Sequence, residues 1–286
     1  MSRIEFTRTT PDGQELYYQG WAPEDEPKAV VCLVHGLGEH AGRYAHVGKA
    51  LNDAGYALLG FDQRGHGKTP GARGVTPPFD RMMDDIGLLL NEAGKRFRHT
   101  PQFLYGHSMG GNWVLNYALR CKPGIAGVVA TSPGLRTAFK PPAAKVFAGK
   151  VLYRLAPNMI MPNGLELDAI SRDPATIAAY RSDPLVHDKM SARLGMDILS
   201  QGEWAIQHAR EFPPIPLLLA HGACDRLTSA PATEEFTRNA RGGSTRPDIT
   251  LKLWPECYHE THNDPEKAEV IGFMIDWLND RLRIEN

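Results

Sequence analysis

The chain lacks long hydrophobic runs. No apolar stretch approaches the roughly 20 residues a helix needs to span a bilayer. The opening segment, Met1-Ser2-Arg3-Ile4-Glu5-Phe6-Thr7-Arg8, lacks the apolar core of a secretory signal, so a cytoplasmic location is expected. An excess of either charge is also missing. A formal net charge of -1 over 286 residues excludes the strongly basic profile of a nucleic-acid binder. Cysteine is scarce: Cys32, Cys121, Cys224 and Cys257 form no C-x-x-C pair. That argues against a disulfide scaffold and against a cysteine zinc site, and buried reduced thiols are expected. There are no internal repeats and no low-complexity segments.

What is present is ordinary for a soluble globular protein, with 42% hydrophobic and 23% charged residues. The length suits one large domain with an insertion, or two domains. Residues 29–34, Ala-Val-Val-Cys-Leu-Val, form a continuous β-branched apolar run, as in a strand buried on both faces. A helical pattern follows at 44–54. Next come a strand at 56–61, a helix at 79–98, a strand at 102–105, a helix at 111–120 and a strand at 125–131. This alternation predicts an α/β fold with a mostly parallel sheet and helices on both faces. Residues 5–9 and 15–20 around Pro11-Asp12-Gly13 read as an edge hairpin. From 135 to 211 the rhythm breaks into helical patterns without a convincing strand. It resumes with strands at 215–220 and 249–254 and helices at 232–241 and 265–283. The segment 135–211 therefore reads as an insertion covering the carboxyl ends of the strands, where open α/β sheets bind ligands.

The most telling residues are Gly106-His107-Ser108-Met109-Gly110, between a strand and a helix. A G-x-S-x-G turn in that setting is the nucleophile elbow of an α/β-hydrolase, with the serine on a strained turn at the top of the sheet. The fold class is then an α/β-hydrolase fold with an inserted helical cap: one domain over 1–286, with 135–211 as cap subdomain. A serine hydroxyl needs a base, and the base needs an orienting acid. In this fold the order is serine, acid, histidine. Asp225 follows the strand at 215–220, and His259 follows the strand at 249–254. The rivals are weaker. Asp248 precedes its strand, Asp183 lies in the insertion, and His262 sits three residues beyond His259. His107, at a variable elbow position, reads as packing or hydrogen bonding. The oxyanion hole requires N–H donors. Met109, after the nucleophile, and Leu37, in His35-Gly36-Leu37-Gly38, are the candidates.

Two further patterns do not hold as sites. Gly67-Lys68-Thr69 would end a phosphate-binding loop only with glycine at Asp62. His259-x-x-His262, with Glu260 and Asp264, lacks the i, i+4 spacing of a zinc protease helix. No metal or cofactor is called for.

Beyond the elbow, several segments are similar to monoacylglycerol lipases and lysophospholipases of the α/β-hydrolase superfamily. They are His35-Gly36-Leu37-Gly38-Glu39-His40 with Arg43-Tyr44, Asp62-Gln63-Arg64-Gly65-His66-Gly67, Asp183-Pro184-Leu185 and Tyr258-His259-Glu260. The resemblance runs from the hairpin to the last helix. It implies a triad of Ser108, Asp225 and His259, an oxyanion hole of Leu37 and Met109, and a cap shaping an acyl-chain tunnel. It implies cleavage of monoacylglycerols or similar single-chain esters through an acyl-enzyme. Lysophospholipase and broad carboxylesterase are the neighbouring alternatives. An acyltransferase and a low-turnover ligand-binding protein stand further off. In the cap, Val146, Phe147, Val151, Leu152, Leu155 and Met159-Ile160-Met161 have two readings: packing onto the core, which is preferred, or transient contact with a membrane surface. Glu39 either meets the polar end of a substrate or caps the next helix.

Overall fold

The computed structural model describes residues 2–284. The hairpin of β1 (Ser2–Thr9) and β2 (Glu15–Ala22) is antiparallel. Then come β3 (Val30–Val34), α1 (Ala45–Asp53), β4 (Ala57–Asp62), α2 (Phe79–Arg96), β5 (Gln102–His107), α3 (Met109–Cys121) and β6 (Gly127–Thr131). The inserted segment holds α4 (Ala143–Leu155), β7 (Ile160–Pro162), α5 (Pro174–Ser182), β8 (Lys189–Ser191) and α6 (Ala192–His208). The chain closes with β9 (Leu217–Gly222), α7 (Ala230–Arg241), β10 (Ile249–Trp254) and α8 (Lys267–Ile284).

Eight strands form one sheet in the order β1-β2-β4-β3-β5-β6-β9-β10. All pairs from β4 to β10 are parallel, and only the β1–β2–β4 edge is antiparallel. The two-residue period of a strand divides β3 between two cores. Val30, Cys32 and Val34 join a cluster with Met82, Ile86, Trp113, Val114 and Phe236. Val31 and Leu33 face Val47, Leu51, Met274 and Leu278. Leu194, Ala205 and Ile206 of α6 join the first cluster, so helices α2, α3, α6 and α7 cover one face, and α1 and α8 the other.

Ahead of α6, the segment bonds to the loops that follow β3, β9 and β10. The His187 N–H donates to Gly38 O (2.9 Å), Glu260 N–H to Ile170 O (2.7 Å) and Ala138 N–H to Leu227 O (3.0 Å). Helix α6 is pinned to α3 by amides: Asn112 Nδ2 donates to Ile198 O, and Asn116 Nδ2 to Gln201 O.

Three expectations need correction. The segment is not strand-free, because β7 and β8 pair antiparallel. Each has three residues, too few for a periodicity, and α5 separates them in the chain. The apolar side chains of α4 do not pack onto the core: no residue of that helix is buried, and Phe147 is 70% and Leu155 80% exposed. The helix leans on α6, with Phe147 and Leu155 turned outward. Finally, only Cys32 and Cys257 are buried, while Cys121 and Cys224 are exposed because they end a helix and enter a loop.

Candidate active site

Ser108 sits between β5 and α3 at φ 55°, ψ -116°. A side chain at positive φ is strained and must be held by its surroundings. The Ser108 N–H donates to Thr131 O (2.9 Å), and Ser108 O accepts from the N–H groups of Asn112 (3.0 Å) and Gly134 (2.8 Å). The flanking glycines are steric necessities, since a Cβ on Gly106 would overlap the Gly110 carbonyl and one on Gly110 the Val34 carbonyl.

The turns after β9 and β10 bring Asp225 and His259 to the same corner. His259 Nε2 lies 2.8 Å from Ser108 Oγ, and Nδ1 lies 2.8 Å from Asp225 Oδ2. Asp225 Oδ1 accepts from the N–H groups of Leu227 (2.7 Å) and Thr228 (3.0 Å). Its Oδ2 also takes the Thr228 hydroxyl (2.7 Å) and faces His221 Nε2 (3.1 Å). Burial alone would depress the His259 pKa; the charge and hydrogen bond of Asp225 outweigh it and raise the value. Burial alone would raise the Asp225 pKa, but His259 and His221 hold it well below the carboxylate range. A carboxylate thus faces a ring whose Nδ1–H it accepts, leaving Nε2 to take a proton from the serine hydroxyl.

Leu37 and Met109 border this corner. Met109 opens α3, where helix N–H groups lack partners within the helix and the dipole is positive. Gly36, beside Leu37, passes so near Ser108 that a Cβ on it would lie 3.3 Å from the Ser108 Cβ.

His262 lies in a turn at 261–263, buried and stacked on Tyr44 (centroids 4.9 Å apart). Burial lowers its pKa to about 3. His107 Nδ1 contacts Thr131 Oγ1 (3.1 Å), and burial, with the nearby His262 and His259 rings, pushes its pKa well down. Glu39 does not cap the next helical turn, where His40 takes that place. Its carboxylate is buried and accepts from the Gly36 N–H (2.6 Å), the Tyr44 hydroxyl (2.9 Å) and Arg43 (2.7 Å). Arg43 also grips both Glu260 oxygens (2.6 and 2.7 Å) and lies over the Tyr180 ring. This ion cluster escapes a sequence reading because Arg43 and Glu260 lie 217 residues apart in the chain. The contact of His221 with Asp225 was missed too, although a polar residue ending a buried strand was a usable signal.

An eight-stranded, mostly parallel sheet with this serine corner at its carboxyl edge defines an α/β-hydrolase. The family model described as "Serine aminopeptidase, S33" matches residues 25–266, and the chain belongs to that family. An uncharacterized abhydrolase domain-containing protein of Dictyostelium discoideum is 36% identical over 96% of this chain, which spans only 28% of that longer protein. A monoacylglycerol lipase of Mycolicibacterium smegmatis is 33% identical over 98% of this chain and 99% of its own length. The crystal structure of the Paleococcus ferrophilus monoacylglycerol lipase, 36% identical, superposes with a TM-score of 0.84 over 93% of this chain and 99% of that one. The chain is a carboxylic ester hydrolase of the α/β-hydrolase type.

Proposed function

We propose that the protein hydrolyses monoacylglycerols or similar single-chain esters through an acyl-enzyme on Ser108. The observation that carries the chemistry is the continuous hydrogen-bonded line from Ser108 Oγ through the His259 ring to Asp225 Oδ2. The substrate class rests on the relatives named above. Ser108 Oγ attacks the ester carbonyl carbon while His259 Nε2 takes its proton. Asp225 orients the ring and stabilises the imidazolium. The Leu37 and Met109 N–H groups hold the oxyanion. His259 then protonates the leaving alcohol, deprotonates a water, and the water releases the fatty acid. Fluorophosphonate labelling of wild type but not Ser108→Ala, with turnover of monoolein exceeding that of lysophosphatidylcholine and acetyl esters, is the expected result. Equal labelling of both proteins would sink the site; acetyl esters alone being cleaved would sink the substrate class.

The segment 135–211 serves, on this reading, as a cap whose outer face meets lipid. Its exposed Phe147, Leu155 and Met159 lie among Lys140, Lys145, Lys150 and Arg154, all exposed and with no acidic residue between 140 and 155. An apolar surface ringed by cations suits an anionic lipid interface. Phe147→Glu with Leu155→Glu is expected to abolish sedimentation with phosphatidylglycerol vesicles while leaving hydrolysis of a water-soluble ester intact. Undiminished sedimentation would refute the contact. A cytoplasmic setting accords with the free, exposed thiols of Cys121 and Cys224.

A further inference from the structure

We propose that His35 is a positioning residue for the oxyanion hole, fixing the direction of the Leu37 N–H through a hydrogen bond to the Gly36 carbonyl. The inference rests on the proposed esterase chemistry. His35 follows β3 and is fully buried. Its Nε2 accepts the Gln63 backbone N–H (2.9 Å). That donor can only be met by a bare ring nitrogen, so the neutral ring carries its proton on Nδ1. Nδ1 lies 2.8 Å from Gly36 O and donates to it. The tautomer is therefore chosen by the backbone of a neighbouring strand end. Burial, reinforced by the nearby His66, keeps the ring neutral by pushing its pKa well down.

The consequence falls on one peptide plane. The Gly36–Leu37 peptide is trans, so its N–H points away from its C=O. Anchoring the carbonyl on His35 directs the Leu37 N–H to the opposite side. The residue before it is held as well, since the Gly36 N–H donates to buried Glu39 Oε1 (2.6 Å). A Cβ there would press on that carboxylate. A turn of the Gly36–Leu37 plane would present a carbonyl where a developing oxyanion needs a donor, and electrostatic preorganisation would be lost.

The two ring nitrogens can be tested apart. In His35→Asn the side-chain amide nitrogen falls near the Nδ1 position and can still donate to Gly36 O. In His35→Gln the amide reaches the Nε2 position, keeps the Gln63 contact and cannot reach Gly36 O. The expected outcome is kcat within about 5-fold of wild type for His35→Asn and lowered about 100-fold for His35→Gln, the cost of one oxyanion donor, with KM little changed in both. A trifluoromethyl ketone, whose Ser108 adduct carries an oxyanion, should weaken in step with kcat. A non-reactive ether analogue should bind all forms alike. His35→Gln near wild type with His35→Asn impaired, or ketone and ether weakening together, would overturn the proposal in favour of a purely structural histidine. Wild type that neither turns over esters nor labels on Ser108 would overturn the esterase reading itself, and this inference with it.

Discussion

The sheet beneath Ser108 and helix α4 of the inserted segment are both rich in apolar residues and use them in opposite ways. Every residue of β3, β4, β6 and β9 is buried, whereas no residue of α4 is. The sheet spends its side chains on close packing, which holds three separate turns at fixed distances. Those turns carry Ser108, Asp225 and His259, aligned to 2.8 Å at each hydrogen bond. Helix α4 instead keeps Phe147, Val151 and Leu155 on the outside. One region fixes geometry; the other leaves apolar area available to something not part of the fold.

The sharpest test of the rigid side is Asp225→Asn. It keeps the shape but removes the charge and favours the wrong tautomer of His259. A kcat loss of about 10⁴-fold on a p-nitrophenyl ester is expected. Packing separates the regions next. Leu219→Ala, in fully buried β9, should cost about 2–5 kcal/mol in urea unfolding, because it leaves a cavity. Leu155→Ala, at 80% exposure in α4, should stay within about 0.5 kcal/mol. Equal losses would break the comparison.

Acid provides a third test. His35, His66, His107 and His262 are buried, and burial lowers their pKa values, to about 3 for His66 and His262. Below 6.5 the unfolded chain binds protons these native rings refuse. Stability therefore falls as pH drops from about 6.5 towards 3. His259 acts in the opposite sense. Its raised pKa adds stability below 6.5 that is lost as pH rises through the folded value. Urea midpoints across this range check the sign. The smallest effect is on the rate profile. Because Asp225 raises the His259 pKa, the acid limb of kcat/KM should have its midpoint above 6.5. A limb centred below that value would contradict the assigned base.

How much could be read in advance follows the same division. The central strands announced themselves, since Val30–Val34 needs no partner to be recognised as a doubly buried strand. The turn chemistry of Gly106 and Gly110 was equally local. Helix α4 misled, because an apolar stripe looks the same whether it meets a core or faces out. The β7–β8 pair was invisible, being three residues on each side. The Glu39–Arg43–Glu260 cluster was illegible too, because an ion pair depends on approach in space, and Arg43 reaches Glu260 across the fold.

By itself the sequence determined the alternation of strands and helices, the serine on its glycine-flanked turn, and the order of acid and histidine after it. These follow from backbone sterics and from a two- or 3.6-residue period, which act over a few neighbours. The tertiary structure alone decided which nitrogen of His35 carries its proton, which carboxylates hold Arg43, and that Phe147 and Leu155 of α4 stay exposed. Each depends on the distance between segments far apart in the chain, and hydrogen bonds, charges and burial respond to that distance rather than to sequence spacing.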